Sequence, residues 1–145
     1  MQPRNHENTK KGTFMLRAPT PLSDELEDLV RRTIGCCITV HRALGPGLLE
    51  SIYSRAVCIE LDHSAIAYER EKLIPVMYRE QLLCSQRIDI VVENQIVLEI
   101  KSVERLHPVH QAQVLAYLRV SKLRVALLMN FNVSVLPDGL KRIVL

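Results

Sequence analysis

The chain contains no apolar run near the roughly 18 residues that a membrane-spanning helix needs, and its N-terminus has no apolar stretch of the secretory kind. Both absences argue against a membrane protein and point to the cytoplasm. Cysteine is sparse: Cys36, Cys37, Cys58 and Cys84 match no zinc or iron–sulfur spacing, and two are adjacent. They read as reduced thiols, mostly buried as small apolar residues. An excess of one charge is also missing from most of the chain. Residues 1–22 hold Arg4, Lys10, Lys11 and Arg17 against Glu7, which is the whole net charge of +3; the other 15 basic and 15 acidic residues cancel. A strongly basic nucleic-acid module is therefore excluded, and any affinity for a polyanion must come from a local patch or from the tail. There is no internal repeat and no low-complexity segment.

What is present fits one domain. At 145 residues, 48% apolar and 24% charged, the chain can bury a core without staples. Residues 1–22 are polar, basic and aperiodic and read as a disordered arm, with residues 23–145 as the domain. Met1 and Met15 both stand as possible starts. Ser23 looks like an N-cap, followed by Asp24, Glu25, Glu27 and Asp28 where a helix dipole favours negative charge. Leu26, Leu29, Val30, Thr33, Ile34, Cys37, Val40 and Leu44 keep a helical stripe until Gly45-Pro46-Gly47. A second helix runs from about Leu48 to His63, with Leu49, Ile52, Tyr53, Ala56, Val57 and Leu61 on its apolar side. Strands follow at Ile66–Met77, Leu82–Val92 and Ile96–Ile100. A third helix starts near Pro108 with Val109, Ala112, Val114, Leu115, Ala116 and Leu118 as apolar positions. The all-apolar Val125–Phe131 suits a strand covered on both faces, and Leu140–Leu145 closes the chain. The order α-α-β-β-β-α-β-β predicts an α/β fold, a central mixed sheet flanked by helices.

The hairpin between the second and third strands carries the chemistry. With its turn centred on Asn94, Asp89 falls opposite Glu99, and opposed side chains have Cβ atoms roughly 5 Å apart. Two carboxylates at that separation repel, and a divalent cation with a preference for hard oxygen ligands, Mg²⁺ or Mn²⁺, is the simplest compensation. Lys101, two residues on, shares the face of Glu99, where it can orient a water or offset developing charge. Removing Asp89 is expected to relieve repulsion and to leave the metal-free fold intact. The plain alternative is a solvated face with an exposed Glu99–Lys101 pair worth under about 1 kcal/mol. For Glu50, near a helix start, the alternative is a dipole-stabilising role alone. For Tyr53 and Tyr117 it is packing, and for Gly47 a turn. His107 and His110, one helical turn apart, lack the context of known zinc motifs. Arg105, Arg119, Lys122 and Arg124 give the third helix a local positive bias.

Taken together, these residues resemble the GxxExxY proteins, a branch of the PD-(D/E)XK nuclease superfamily. The naming motif is Gly47-Leu48-Leu49-Glu50-Ser51-Ile52-Tyr53, preceded by His41-Arg42-Ala43-Leu44-Gly45-Pro46. Arg87-Ile88-Asp89 matches the aspartate strand, Glu99-Ile100-Lys101 the ExK element, Gln113 and Tyr117 the QxxxY helix, and Leu128-Met129-Asn130-Phe131 the late strand. The resemblance implies a restriction-endonuclease-like core. It implies that Asp89, Glu99 and the Ile100 carbonyl bind Mg²⁺ or Mn²⁺, that Lys101 orients the attacking water, and that Glu50 completes the site or helps hold a second metal. Gln113 is implied to position the lysine or a phosphate. His110, Arg105 and Arg119 are candidate substrate contacts.

Two functions of different class follow. The first is a metal-dependent phosphodiester hydrolase, a DNA nuclease of repair, recombination or defence type, working as a homodimer or higher oligomer because one small domain has little surface with which to grip a duplex. RNA or nucleotides are a variant substrate for the same site. The second is a catalytically silent nuclease-fold protein used for binding or assembly. The apolar late strands are the expected contact surface between copies.

Overall fold

The computed structural model describes residues 21–145. The elements are α1 (Asp24–Leu44), α2 (Glu50–His63), β1 (Tyr68–Tyr78), β2 (Gln81–Val92), β3 (Ile96–Lys101), α3 (Pro108–Ser121), β4 (Val125–Asn130), a 3-10 turn (Leu136–Gly139) and β5 (Leu140–Val144). The predicted order is reproduced. The expected arm falls outside the described residues except for Pro21 and Leu22, and Leu22 is buried in the main core, so the folded part reaches back to it.

Local signals set the helix ends. The Ser23 hydroxyl accepts the Leu26 N–H at 3.2 Å, and Asp24, Glu25 and Glu27 occupy the first turn of α1. Gly45, at φ 70°, ends that helix. Pro108 opens α3 without losing a helical donor.

The five strands form one sheet in the order β1-β2-β3-β4-β5. All neighbours are antiparallel except β3 and β4, which are parallel and joined through α3. Helices α1 and α2 cover one face, where Val30, Cys37, Val40, Tyr53, Val57 and Leu61 meet Ile90, Val92, Leu98 and Ile100. On the other face α3 packs Val114, Tyr117 and Leu118 against Val91, Val97, Ala126 and Leu128. Three layers result, and β4 is buried along its whole length. Among the described residues no helix is long and apolar enough to cross a membrane. Cys36, Cys37 and Cys58 are buried free thiols, and Cys84 is exposed.

Several expected core positions face solvent. Helix α2 buries Tyr53, Ser54, Val57, Cys58 and Leu61, which turns Leu49 and Ile52 outward. Leu44 and Val109 are exposed as well. Of the late strands, β4 is sealed inside the chain and offers no contact surface, whereas β5 lies at the sheet edge and is only partly buried. Exposed apolar residues also gather on the long β1–β2 hairpin, at Leu73, Met77, Tyr78, Leu82 and Leu83. Its two-residue turn places Arg79 and Glu80 in the left-handed region that tight hairpins require (φ 48° and 64°), without glycine.

Gly139 is a close approach. A Cβ built there would lie 2.2 Å from the Asn130 carbonyl oxygen at the end of β4. Gly139→Ala is expected to cost about 1–3 kcal/mol by overpacking, read as a lower midpoint in urea with an unchanged m-value. Wild-type stability in that variant would show that the turn moves freely away from β4.

Candidate active site

The loop into α2 is held from inside the core. Tyr53 is fully buried, stacks on Phe131 with ring centroids 4.6 Å apart, and donates its hydroxyl hydrogen to the Gly45 carbonyl at 2.5 Å. The same hydroxyl accepts the Leu48 N–H at 3.1 Å. Gly47 takes φ 101°, a conformation that a side chain would strain. The glycine and tyrosine of the motif therefore form a clamp that sets where Glu50 begins its helix. Glu50 is not merely a dipole partner: its carboxylate accepts the Ser102 N–H at 3.3 Å, and the Ser102 hydroxyl donates to the Leu48 carbonyl at 2.6 Å. These two bonds tie α2 to the residue that follows β3.

The far side of β3 is fixed by Asn130. Its side chain accepts the Val103 N–H at 3.0 Å and donates to the Val103 carbonyl at 2.9 Å, while the Phe131 N–H bonds the Lys101 carbonyl at 2.8 Å. Buried His41 adds a brace, with Nε2 3.1 Å from the Phe131 carbonyl and 2.9 Å from that of Val133, which makes it the donor.

Between these anchors the sheet opens. The β2–β3 ladder ends at Ile90 and Leu98, one pair short of Asp89 and Glu99. Each carboxylate takes over a backbone donor freed by that opening: the Asp89 N–H bonds Glu99 Oε1 at 3.0 Å, and the Ile100 N–H bonds Asp89 Oδ2 at 3.2 Å. An extended residue points its N–H and C=O to the same neighbour, so the Ile100 carbonyl also faces the Asp89 side.

Asp89 stands outside the ladder on its other side too. In β1 the pairs Arg70↔Ile90 and Lys72↔Ile88 are made, but Glu71, between them, is unpaired and sits at φ 55°. Ile90 joins the α1/α2 core and Ile88 the α3 core, although residues two apart in a regular strand share a face. The hairpin thus changes face at Glu71 and Asp89.

Glu99 is 3% exposed, which removes the alternative of a solvated face. Burial, and then the neighbouring Asp89 charge, push its carboxyl well above the usual range. Lys101 lies on the Glu99 face, is half-buried, and has no carboxylate within ion-pair distance among the described residues. Glu50 and Asp89 line one cavity of about 230 Å³, together with Ser51, Ser54, Arg70, Glu71 and Arg87.

The family model described as the PD-(D/E)XK nuclease superfamily matches residues 27–143. The chain belongs to that superfamily. No curated protein and no solved structure matches it significantly. The fold agrees with a restriction-endonuclease-like core, and PD-(D/E)XK nucleases generally use divalent metals.

The donors fit such an ion in part. Asp89, Glu99 and the Ile100 carbonyl are hard oxygens around one opening, and Mg²⁺ is commonly held by one or two carboxylates with water completing its shell. Among the described residues no group of three or more acidic, histidine or cysteine side chains converges as a metal site. The other expected residues are dispersed. Gln113 is exposed and lines a separate groove with Gln86, Cys84 and Tyr117; the Tyr117 hydroxyl accepts from Gln86 Nε2 at 3.3 Å, and its pKa is raised by burial and then by the charge of Glu99. His110 accepts the His107 N–H on Nδ1 at 3.0 Å, which spends that nitrogen on the helix start rather than on a metal shared by both histidines. Burial and then Lys101 lower its pKa. Arg105 and Arg119 are exposed and line neither space. The residues that sequence reasoning missed are Arg70, Glu71 and Ser102. Arg87 is visible in the sequence only as a neighbour of the Asp89 motif.

The carboxylate bonds change the expectation for Asp89→Ala, which loses the acceptor of the Ile100 N–H along with the repulsion. Glu99→Gln is the cleaner probe. Folded Glu99 holds its proton more tightly than unfolded Glu99, so the stability of the metal-free protein falls as pH rises from 4.5, the ordinary value, toward neutrality. Glu99→Gln is expected to flatten that slope and raise the metal-free melting temperature at pH 7 by roughly 5 °C. A lower melting temperature at pH 7 would show that the ionised carboxylate stabilises the fold.

Proposed function

We propose that this protein is a Mg²⁺- or Mn²⁺-dependent nuclease acting on nucleic acid, DNA first, with Asp89, Glu99, Lys101 and Glu50 at its centre. The observation that carries the reading is the opening of the sheet at two carboxylates, one buried and charged only at a cost, beside Lys101, which has no ion pair among the described residues. Asp89, Glu99 and the Ile100 carbonyl are the donors for the cation. When bound, the cation supplies positive charge against the phosphoryl group and makes a nearby water more acidic. Lys101 orients the attacking water and offsets the negative charge that develops on the phosphoryl oxygens. Glu50, held by Ser102, keeps a second carboxylate at the cavity mouth, where it can take a proton from water. Gln113 acts at one remove, through Tyr117. The GxxExxY branch, a homodimer and a cytoplasmic setting belong to the same reading, with the exposed hairpin residues as the contact between copies.

The second reading, a silent scaffold, is favoured by one observation: both carboxylates already accept a backbone N–H and so have a structural task without metal. A cleavage panel separates the two. Linear, circular, single-stranded and branched DNA, and RNA, are incubated with Mg²⁺, Mn²⁺ or EDTA. The expected result is metal-dependent cleavage, reduced about 10²- to 10⁴-fold in Lys101→Ala, with calorimetric Mn²⁺ binding kept in that variant and lost in Glu99→Gln. Cleavage that persists in EDTA or in Lys101→Ala overturns the assignment of these residues. Absence of both cleavage and Mn²⁺ binding leaves the scaffold.

A further inference from the structure

The face change in the β1–β2 hairpin decides where two arginines point. Arg70 is the ladder partner of Ile90, whose side chain packs under α1 and α2, so Arg70 lies on that face. Arg87 neighbours Ile88, which packs under α3, so Arg87 points the opposite way, again toward α2. In a regular hairpin the two guanidinium groups would sit on opposite faces. The irregularity at Glu71 and Asp89 brings both to the cavity that Asp89 shares with Glu50. A non-glycine residue held at φ 55° within a strand is strained, and such strain persists where the surroundings enforce it, often beside functional sites.

The cavity, about 230 Å³, is below the roughly 300–1,000 Å³ usual for small-molecule pockets, yet it has ample room for a phosphate group. Ser51 and Ser54 add hydroxyls to its wall. Arg70 makes no ion pair among the described residues. Among the described residues Arg87 pairs with Glu71 alone, at 3.8 Å, with the two side chains 65% and 48% exposed. So open a pair is worth little and can be exchanged for a better anion. A guanidinium meets a phosphate through paired hydrogen bonds. Because charge over the body of the chain cancels, a grip on a polyanion has to be local, and two arginines beside the carboxylates are such a grip.

We propose that Arg70 and Arg87 form a phosphate subsite for the nucleic-acid backbone next to the Asp89–Glu99 carboxylates, with Glu71 occupying Arg87 until a backbone phosphate displaces it. This rests on the nuclease reading and deepens it: the strand lies between α2 and the β1–β2 hairpin and is held there by its backbone, not its bases.

The test uses the full chain with labelled DNA and RNA oligonucleotides of unrelated sequence. Binding is measured across a salt series in Ca²⁺, which shares the oxygen preference of Mg²⁺. Arg70→Ala and Arg87→Ala are each expected to weaken binding roughly tenfold, equally for every sequence, and to lower the salt slope by about one. Calorimetric Mn²⁺ binding and melting temperature stay at wild-type values. Glu71→Gln tightens binding, and that gain disappears when Arg87→Ala is added. A wild type that cleaves, alongside arginine variants that match its affinity and salt slope, removes the subsite and leaves the nuclease. A Glu71→Gln gain that survives the loss of Arg87 removes the exchange. A wild type that neither binds nor cleaves either polymer overturns both readings.

Discussion

The exchange of backbone donors between Asp89 and Glu99 is the interaction on which the rest of the site depends. A sheet normally satisfies its own N–H groups through the ladder. Here β2 and β3 part after Ile90 and Leu98, and the freed donors of Asp89 and Ile100 are taken by the carboxylate across the gap. Each acid stabilises the opening through its oxygen and destabilises it through its charge. Glu99 carries the larger penalty because it is buried. The arrangement is balanced as a hydrogen-bonded structure and short of positive charge, the condition under which a divalent cation or a change of protonation has a large effect.

Everything around that opening holds its two edges in place. Tyr53 and Gly47 set the start of α2, and Glu50 reaches Ser102. Asn130 ties the residues after β3 to the end of β4, and His41 braces the chain beyond it. The family motif residues thus divide by task. Tyr53, His41 and Asn130 position backbone, while Asp89, Glu99 and Lys101 are the residues to which the proposed chemistry is assigned. The outer edge has a different device, the unpaired Glu71, which rotates the hairpin about Asp89 and turns Arg70 and Arg87 to the same side.

Much of this was legible in the sequence because it depends on short-range patterns. The cap at Ser23, the stop at Gly45, the alternation around Glu99 and the apolar run of β4 are local signals, and the elements formed where they were expected. Outer helix positions read less well. Leu49, Ile52 and Val109 fit an apolar stripe by spacing, yet only the docking angle of a helix decides which edge of its stripe is buried. Motif order puts Gln113 near the carboxylates, whereas α3 presents it to a groove that it shares with Gln86 and Tyr117.

By itself the sequence determined the element order, the opposition of Asp89 and Glu99, the shared face of Glu99 and Lys101, and membership of a nuclease superfamily. These follow from periodicity and from motif spacing along one chain. Only the tertiary structure decided that the ladder ends where the carboxylates face each other, that Glu99 is buried, that Glu50 binds Ser102, and that Arg70 and Arg87 share a cavity. The reason is physical: alternation assumes a regular strand, and here the ladder is interrupted at Glu71 and Asp89, beyond which the side chains lie on the other face. Glu71 carries no mark of that reversal in its identity. The packing of Ile88 under one layer and Ile90 under the other enforces it.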